Sequence, residues 1–285
     1  MIKFGIRAHD MGKYTIEDFP KLLQLIRELD GECIQLALAK SFTDFNYSPD
    51  NLDEKFANFL SQELKVHDVV LSVLGCYINL TDTDEKKRQE SLNKFKNHLR
   101  FSKYLKTSLV GTETGCFNTT YTYTKLNDSE EAFNLFLNSM KTLVNYAEEI
   151  QTNLAIEGVA KHIISTPEKM KKALDILNSD RLKVIFDPVN FLTINNYQNQ
   201  REIITQAFKL FGDKIERIHL KDFIIEDNQM KVVPIGQGEF DLKFFIDELK
   251  KYKDDIEILL ENSTVNTAKE CIAFVKKYIY KKIKL

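Results

Sequence analysis

Residues 216–223 read "ERIHLKDF": a short apolar strand that places His219 near its end and follows it at once with Lys221 and Asp222. The chain has only five histidines, so one between apolar neighbours and a charge pair needs a reason. Asp222 could satisfy the imidazole locally, or His219 could be a metal ligand at the mouth of a barrel. The choice depends on whether this strand is one of a series.

It is. Working outward, short apolar runs recur at 2–8, 33–38, 69–75, 108–113, 153–158, 182–187, 215–220 and 256–262. They are rich in Val, Ile and Leu and mostly lack strict alternation, as strands covered on both faces do. Amphipathic stretches lie between them. Thr15 precedes "IEDFPKLLQLIREL", and Thr166 precedes Pro167 and Glu168, which combines an N-cap, a proline at N1 and an early acid. Further helices are predicted at about 53–66, 84–106, 129–151, 198–211, 240–252 and 266–282. Parallel strands need crossovers of this kind. Eight alternations, about 36 residues each, favour a closed (β/α)8 TIM barrel over an open doubly wound sheet. "GIRAHDMG" is not the glycine-rich phosphate turn that such a sheet usually carries after its first strand.

No linker or low-complexity segment interrupts the 285 residues, so residues 1–285 are expected to form one barrel domain with its active site at the C-terminal strand ends. A net charge of −2 argues against a nucleic-acid partner. No apolar run approaches the ~18 residues of a membrane span, and "MIKFGIRAHD" reads directly into a strand, with no signal region. The four cysteines are scattered, which fits a reducing, cytoplasmic compartment and no zinc ribbon. The lysines of "VKKYIYKKIKL" read as the solvated face of the last helix. His67 and His98 fall in helical stretches and read as structural or surface residues. A homo-oligomer is left open.

In a barrel, chemistry sits at the C-terminal tips of strands. Those tips carry His9, Glu113, Glu157, Asp187, His219 and Glu261 in chain order. Each alone has a bland explanation: Asp187 in "DPVN" could be turn chemistry, and Glu261 could cap the following turn. The last four fall on consecutive strands. Burying three carboxylates together costs several kcal/mol or forces protonation, and one divalent metal ion removes that conflict. An oxygen-rich set suits Mn, Co or Mg better than structural zinc, with zinc the remaining candidate. Lys221, two residues past His219, points back into the barrel. His162 is a candidate loop contact. Gly236 and Gly238 permit a tight turn whose N–H groups could face an anion.

The stretches "AIEGVAKH", "VIFDPVNF", "RIHLKDF", "PIGQGEFD" and "ILLEN", together with "CYINLTDTDEKKRQESL" and "VGTETG", resemble the xylose isomerase-like TIM barrels in order and spacing over essentially the whole chain. That superfamily holds sugar isomerases and epimerases and also endonuclease IV. The resemblance implies that Glu157, Asp187, His219 and Glu261 hold one divalent cation, with Glu157 and Glu261 the catalytic acid/base pair. It implies a small carbohydrate or hydroxy-ketone substrate contacted at the position of Asn190, and His9, Glu113, His162 and Lys221 are further candidate substrate contacts by their places at the mouth. Two departures stand out. Asn190 occupies the place where ketose 3-epimerases have a histidine, and no arginine follows His219, so that contact is either missing or supplied by Lys221 or Lys231. A dehydroshikimate-type dehydratase, an endonuclease IV-like phosphodiesterase and a non-catalytic sugar-binding barrel are the alternatives. A phosphodiesterase would need several more histidines, and a binder has no need of two opposed glutamates.

Overall fold

The structure is a computed structural model and describes residues 2–105, 107 and 109–280. Ten strands occur among them: β1 (Ile2–Arg7), β2 (Cys33–Leu36), β3 (Val70–Gly75), β4 (Val110–Glu113), β5 (Leu154–Glu157), β6 (Leu182–Phe186), β7 (Ile215–Leu220), β8 (Asp222–Glu226), β9 (Gln229–Val233) and β10 (Ile256–Leu260). Eight of them close into a parallel barrel in the order β1-β10-β7-β6-β5-β4-β3-β2. The protein is a (β/α)8 TIM barrel.

Each barrel strand corresponds to one of the eight apolar runs. Residue 108 of the fourth run lies outside the described residues, as does residue 106 at the end of the third expected helix. The helices are α1 (Phe19–Glu28), α2 (Leu38–Ser41), α3 (Glu54–Val66), α4 (Glu85–Leu105), α5 (Glu130–Glu149), α6 (Pro167–Leu177), α7 (Gln200–Phe211), α8 (Leu242–Tyr252) and α9 (Ala268–Ile279). Thr166 accepts the N–H of Lys169 at 3.3 Å, the expected cap on α6. Asp53, Ser129 and Asp241 cap α3, α5 and α8 the same way. Each such cap contributes about 1 kcal/mol. The first helix starts later than its sequence pattern, at Phe19, because Thr15 and Asp18 bond to each other and close a turn first. The described part of the C-terminal lysine stretch lies on α9 and just after it; residues 281–285 lie outside the described residues.

Strand side chains alternate in direction, and here the alternation sorts residues by parity. Odd-numbered Cys33, Val73, Leu109, Ala155, Ile185 and Leu259 form a compact apolar cluster of their own inside the barrel. Even-numbered Phe4, Ile34, Leu74, Ile156, Phe186, Ile218 and Ile258 belong to the much larger core between strands and helices. Phe186 alone meets Phe208, Phe211 and Phe245 of α7 and α8, with centroids 5.5 to 6.1 Å apart. Stepping by two from the interior cluster toward the C-terminal ends reaches Gln35, Tyr77, Glu113, Glu157, Asp187 and Glu261, and His219 holds the same odd-numbered series on β7. At the other end Glu257, two before Leu259, pairs with Arg217 of β7 at 2.9 Å.

One feature lies outside the sequence expectation. After β7 the chain forms the antiparallel hairpin β8–β9, turning at Asp227 and Asn228 with φ of 51° and 57°. A two-residue turn with both φ positive matches the twist of its strands, and Asp and Asn tolerate it. Among the described residues, no helix is long and apolar enough to cross a membrane.

Candidate metal centre

At the mouth, β5, β7 and the residue after β10 bring Glu157, His219 and Glu261 together, with one ligand atom from each within 4.8 Å of the others. All three are buried. Both carboxylates converge on one atom: His219 Nδ1 lies 3.1 Å from Glu157 Oε1 and 2.9 Å from Glu261 Oε1. The imidazole's Nε2 is buried without a hydrogen-bond partner.

Asp187, the fourth expected ligand, is fully buried but stands outside that three-residue group. Its Oδ1 accepts the N–H groups of Val189 and Asn190, the turn chemistry that "DPVN" suggests. Its Oδ2 lies 2.9 Å from Lys221 Nζ. Lys221 also reaches Glu261 Oε2 at 2.8 Å and Asn190 Oδ1 at 2.6 Å. Asn190 in turn donates its amide to Glu157 Oε1 at 2.8 Å. One network therefore joins Glu157, Asn190, Lys221, Asp187, Glu261 and His219.

The charges do not balance. Three carboxylates face one lysine, and the remaining cation, Arg7, holds Asp10 in a bidentate pair while reaching Glu261 at 2.8 Å. With a neutral imidazole, two negative charges remain uncompensated in a buried place. A divalent cation matches that deficit, and two carboxylates with an imidazole are a donor set that oxygen-preferring and borderline metals accept. The residues present fit the group.

The same imbalance shifts the titrating groups. Burial pushes the Glu157 and Asp187 carboxyls above the ordinary range. Glu261 is also buried, but Lys221, Arg7 and His219 surround it and hold it well below that range. Burial would depress His219, yet Glu157 and Glu261 outweigh it and raise the imidazole to about 10.

The other expected contacts divide between the mouth and a second cluster. His9 lies in the single turn after β1, with Nδ1 buried and unpartnered. Burial, Arg7 and Lys40 lower it to about 4. Glu113 ends β4, in register with Glu157 on β5, so the two project side by side. His162, in the loop after β5, brings Nδ1 to 3.7 Å from Glu113 Oε2. Tyr121 donates its hydroxyl to that oxygen at 3.0 Å and meets His162 edge to face.

Two expectations are corrected. Asp222 does not hold His219; its carboxylate accepts the N–H groups of Phe223, Gly236 and Phe240 and pins the loop after the hairpin. The anion facing the loop's Gly236 N–H is thus the chain's own carboxylate. At Gly238 a Cβ would lie 2.1 Å from the carbonyl oxygen of Phe223, which only glycine avoids. Lys231 pairs with Glu226 on the exposed face of the hairpin instead of supplying the arginine's contact. His67 and His98 sit on or beside their helices, each bonded to a backbone carbonyl.

Sequence reasoning missed Arg7, Lys40, Tyr77 and Tyr121. Arg7 and Tyr77 fall on the odd-numbered interior series, so counting by two would have found them. Lys40 Nζ sits 3.8 Å above the Tyr77 ring. Tyr121 is in an irregular loop and has no periodic signal.

The sequence matches the xylose isomerase-like TIM barrel family over residues 23–278. The chain belongs to this family. A curated relative is the Haemophilus influenzae protein named "Putative L-ribulose-5-phosphate 3-epimerase SgbU", 33% identical over 126 residues. That match spans 43% of this chain and 42% of that protein. Among solved structures, a D-tagatose 3-epimerase-like protein superposes with a TM-score of 0.74 at 16% identity, over 97% of each chain. The IolI protein with a bound zinc atom gives 0.70 at 19% identity, over 99% of this chain and all of that one.

Proposed function

We propose that this protein is a divalent-metal-dependent isomerase or epimerase of a small sugar, sugar phosphate or related hydroxy-ketone. The observation that carries the reading is the convergence of Glu157 and Glu261 on His219 Nδ1, in a buried mouth that is two positive charges short once the imidazole is neutral, as a metal ligand must be. The epimerase names of the curated relative and the similar structure support it, as does the zinc of the IolI protein.

Glu157, His219 and Glu261 would hold the cation, with Asp187 completing the set. When bound, the cation supplies Lewis-acid polarisation of a carbonyl and its neighbouring hydroxyl, which acidifies the C–H between them. Glu261 is held by Arg7, Lys221 and His219, whereas Glu157 is held by Asn190 and His219. Glu157 is therefore the freer base and takes the proton. Glu261 flanks the substrate as the opposite acid. Negative charge developing on the substrate oxygens lies near the Lys221 ammonium. Return of the proton to the adjacent carbon isomerises, and return to the opposite face epimerises.

The test is exchange of substrate C–H protons into D₂O over ketoses and their phosphates, with manganese, cobalt, magnesium or zinc supplied. Glu157→Gln should abolish exchange, and purified protein should carry about one metal ion per chain. Exchange coupled to loss of water would assign a dehydratase instead. No exchange with any metal would sink the enzyme reading. We place the protein in the cytoplasm, since all four cysteines are buried and free. We further propose that residues 1–285 act as one domain, that its partner is a small carbohydrate, and that manganese is the leading metal candidate.

A further inference from the structure

We propose that Glu113, Tyr121 and His162 form a hydroxyl-binding subsite that selects a sugar with an uncharged polyol end over one ending in a phosphate ester. This rests on the reading of the mouth as a sugar site and concerns the part of the substrate that does not react.

Position comes first. Glu113 and Glu157 are register partners on adjacent strands, so their backbones are about 4.8 Å apart and their side chains share the interior face. A sugar whose reacting carbons lie against Glu157 extends its next carbons over Glu113. Tyr77, on the interior face of the neighbouring β3 end, bonds Gln35 and carries Lys40 over its ring.

The donor and acceptor inventory follows. Tyr121 donates to Glu113 Oε2, and Glu113 Oε1 accepts no hydrogen bond among the described residues. His162 Nδ1 is buried and makes none either. Burial keeps this imidazole below its ordinary value, so it stays neutral and offers one donor and one acceptor. A carboxylate, a phenol and a neutral imidazole are partners for hydroxyl groups. Tyr121 has φ of 56°, a conformation bulky side chains rarely take; its hydroxyl bond and its edge contact with His162 hold it there.

Phosphate chemistry is poorly served. Arg7 and Lys221, the basic side chains touching the carboxylate set, are committed to Asp10, Asp187 and Glu261. Lys40 acts on Glu113, but its ammonium rests on the Tyr77 ring. A phosphate dianion would face two adjacent carboxylates with one amine nearby, where anion sites converge several donors.

Calorimetric titration of the manganese-loaded protein with a ketopentose, a ketohexose and their terminal phosphates reads the subsite directly. The neutral sugar should bind at least about tenfold more tightly, and Glu113→Gln should weaken it about tenfold while leaving the phosphate unchanged or tighter. Tyr121→Phe should weaken the neutral sugar about fivefold and carries the test if Glu113→Gln fails to fold. Tighter phosphate binding by the unmodified protein, equal losses for both ligands, or binding of neither overturns the proposal. Sugar binding without C–H exchange would remove the isomerase reading and leave the subsite standing.

Discussion

The Lys221 ammonium lies 2.6 Å from the side-chain oxygen of Asn190, and that bond decides which way the amide faces. Lysine only donates, so the oxygen must turn to it and the NH₂ is delivered to Glu157 Oε1 at 2.8 Å. Asn190→Ala removes one of the two side-chain bonds that hold Glu157, leaving His219. A hydrogen bond to a charged group contributes about 1.5–3 kcal/mol, so kcat should fall roughly 10- to 100-fold. Steady-state kinetics beside a melting curve checks this, because a fall in kcat without a large fall in Tm separates positioning from folding. Asn190→Asp should be worse, since it sets a second carboxylate against Glu157.

Lys221→Met leaves Asp187 and Glu261 without their ammonium. Breaking a buried pair from one side costs about 3 kcal/mol. The metal-free variant should lose that much in urea unfolding. Because the remaining site is more negative, manganese should restore more stability to the variant than it adds to the unmodified protein. Equal stabilisation of both would separate Lys221 from the cation's surroundings.

Metal removal has a stability signature independent of turnover. A cation held by folded Glu157, His219 and Glu261 but not by the unfolded chain adds about 2.7 kcal/mol at a hundredfold excess over its Kd. Chelator should lower Tm accordingly, and Glu261→Gln should flatten the response.

His98 gives a pH dependence away from the mouth. It is 3% exposed on α4, stacked on Tyr47, and burial lowers its imidazole to about 4. Between about 6.5 and 4 the unfolded chain takes up a proton that the folded chain refuses, so stability is complete above that window and falls as pH falls through it. At pH 5 the loss from this group is about 2 kcal/mol. Urea midpoints at pH 7.5 and 5.0 should show it, and His98→Gln should remove that part of the difference.

The barrel was legible because each of its strands is a compact apolar run and each crossover an amphipathic helix, with side-chain caps on α3, α5, α6 and α8. The candidate ligands were legible because they end those runs. The hairpin was not read from "DFIIEDNQMKVV", although its Asp-Asn turn is a local signal, because the eightfold alternation left no place for extra strands. Asp222 turns away from His219 for a physical reason. Adjacency in sequence suggested a bond to His219, but three backbone N–H groups from the chain ahead compete for that carboxylate and win. Tyr121 was beyond reach, since a single left-handed residue in an irregular loop leaves no period to read. Arg7 and Tyr77 were within reach of the same count by two that oriented Lys221.

The six odd-numbered apolar residues inside the barrel have a consequence for traffic through it. Cys33, Val73, Leu109, Ala155, Ile185 and Leu259 separate the carboxylates above from the Arg217–Glu257 pair below. They make the barrel a cup with a dry floor. The carboxylates are reached from the rim, and loop changes there can alter what enters without disturbing the salt pair beneath.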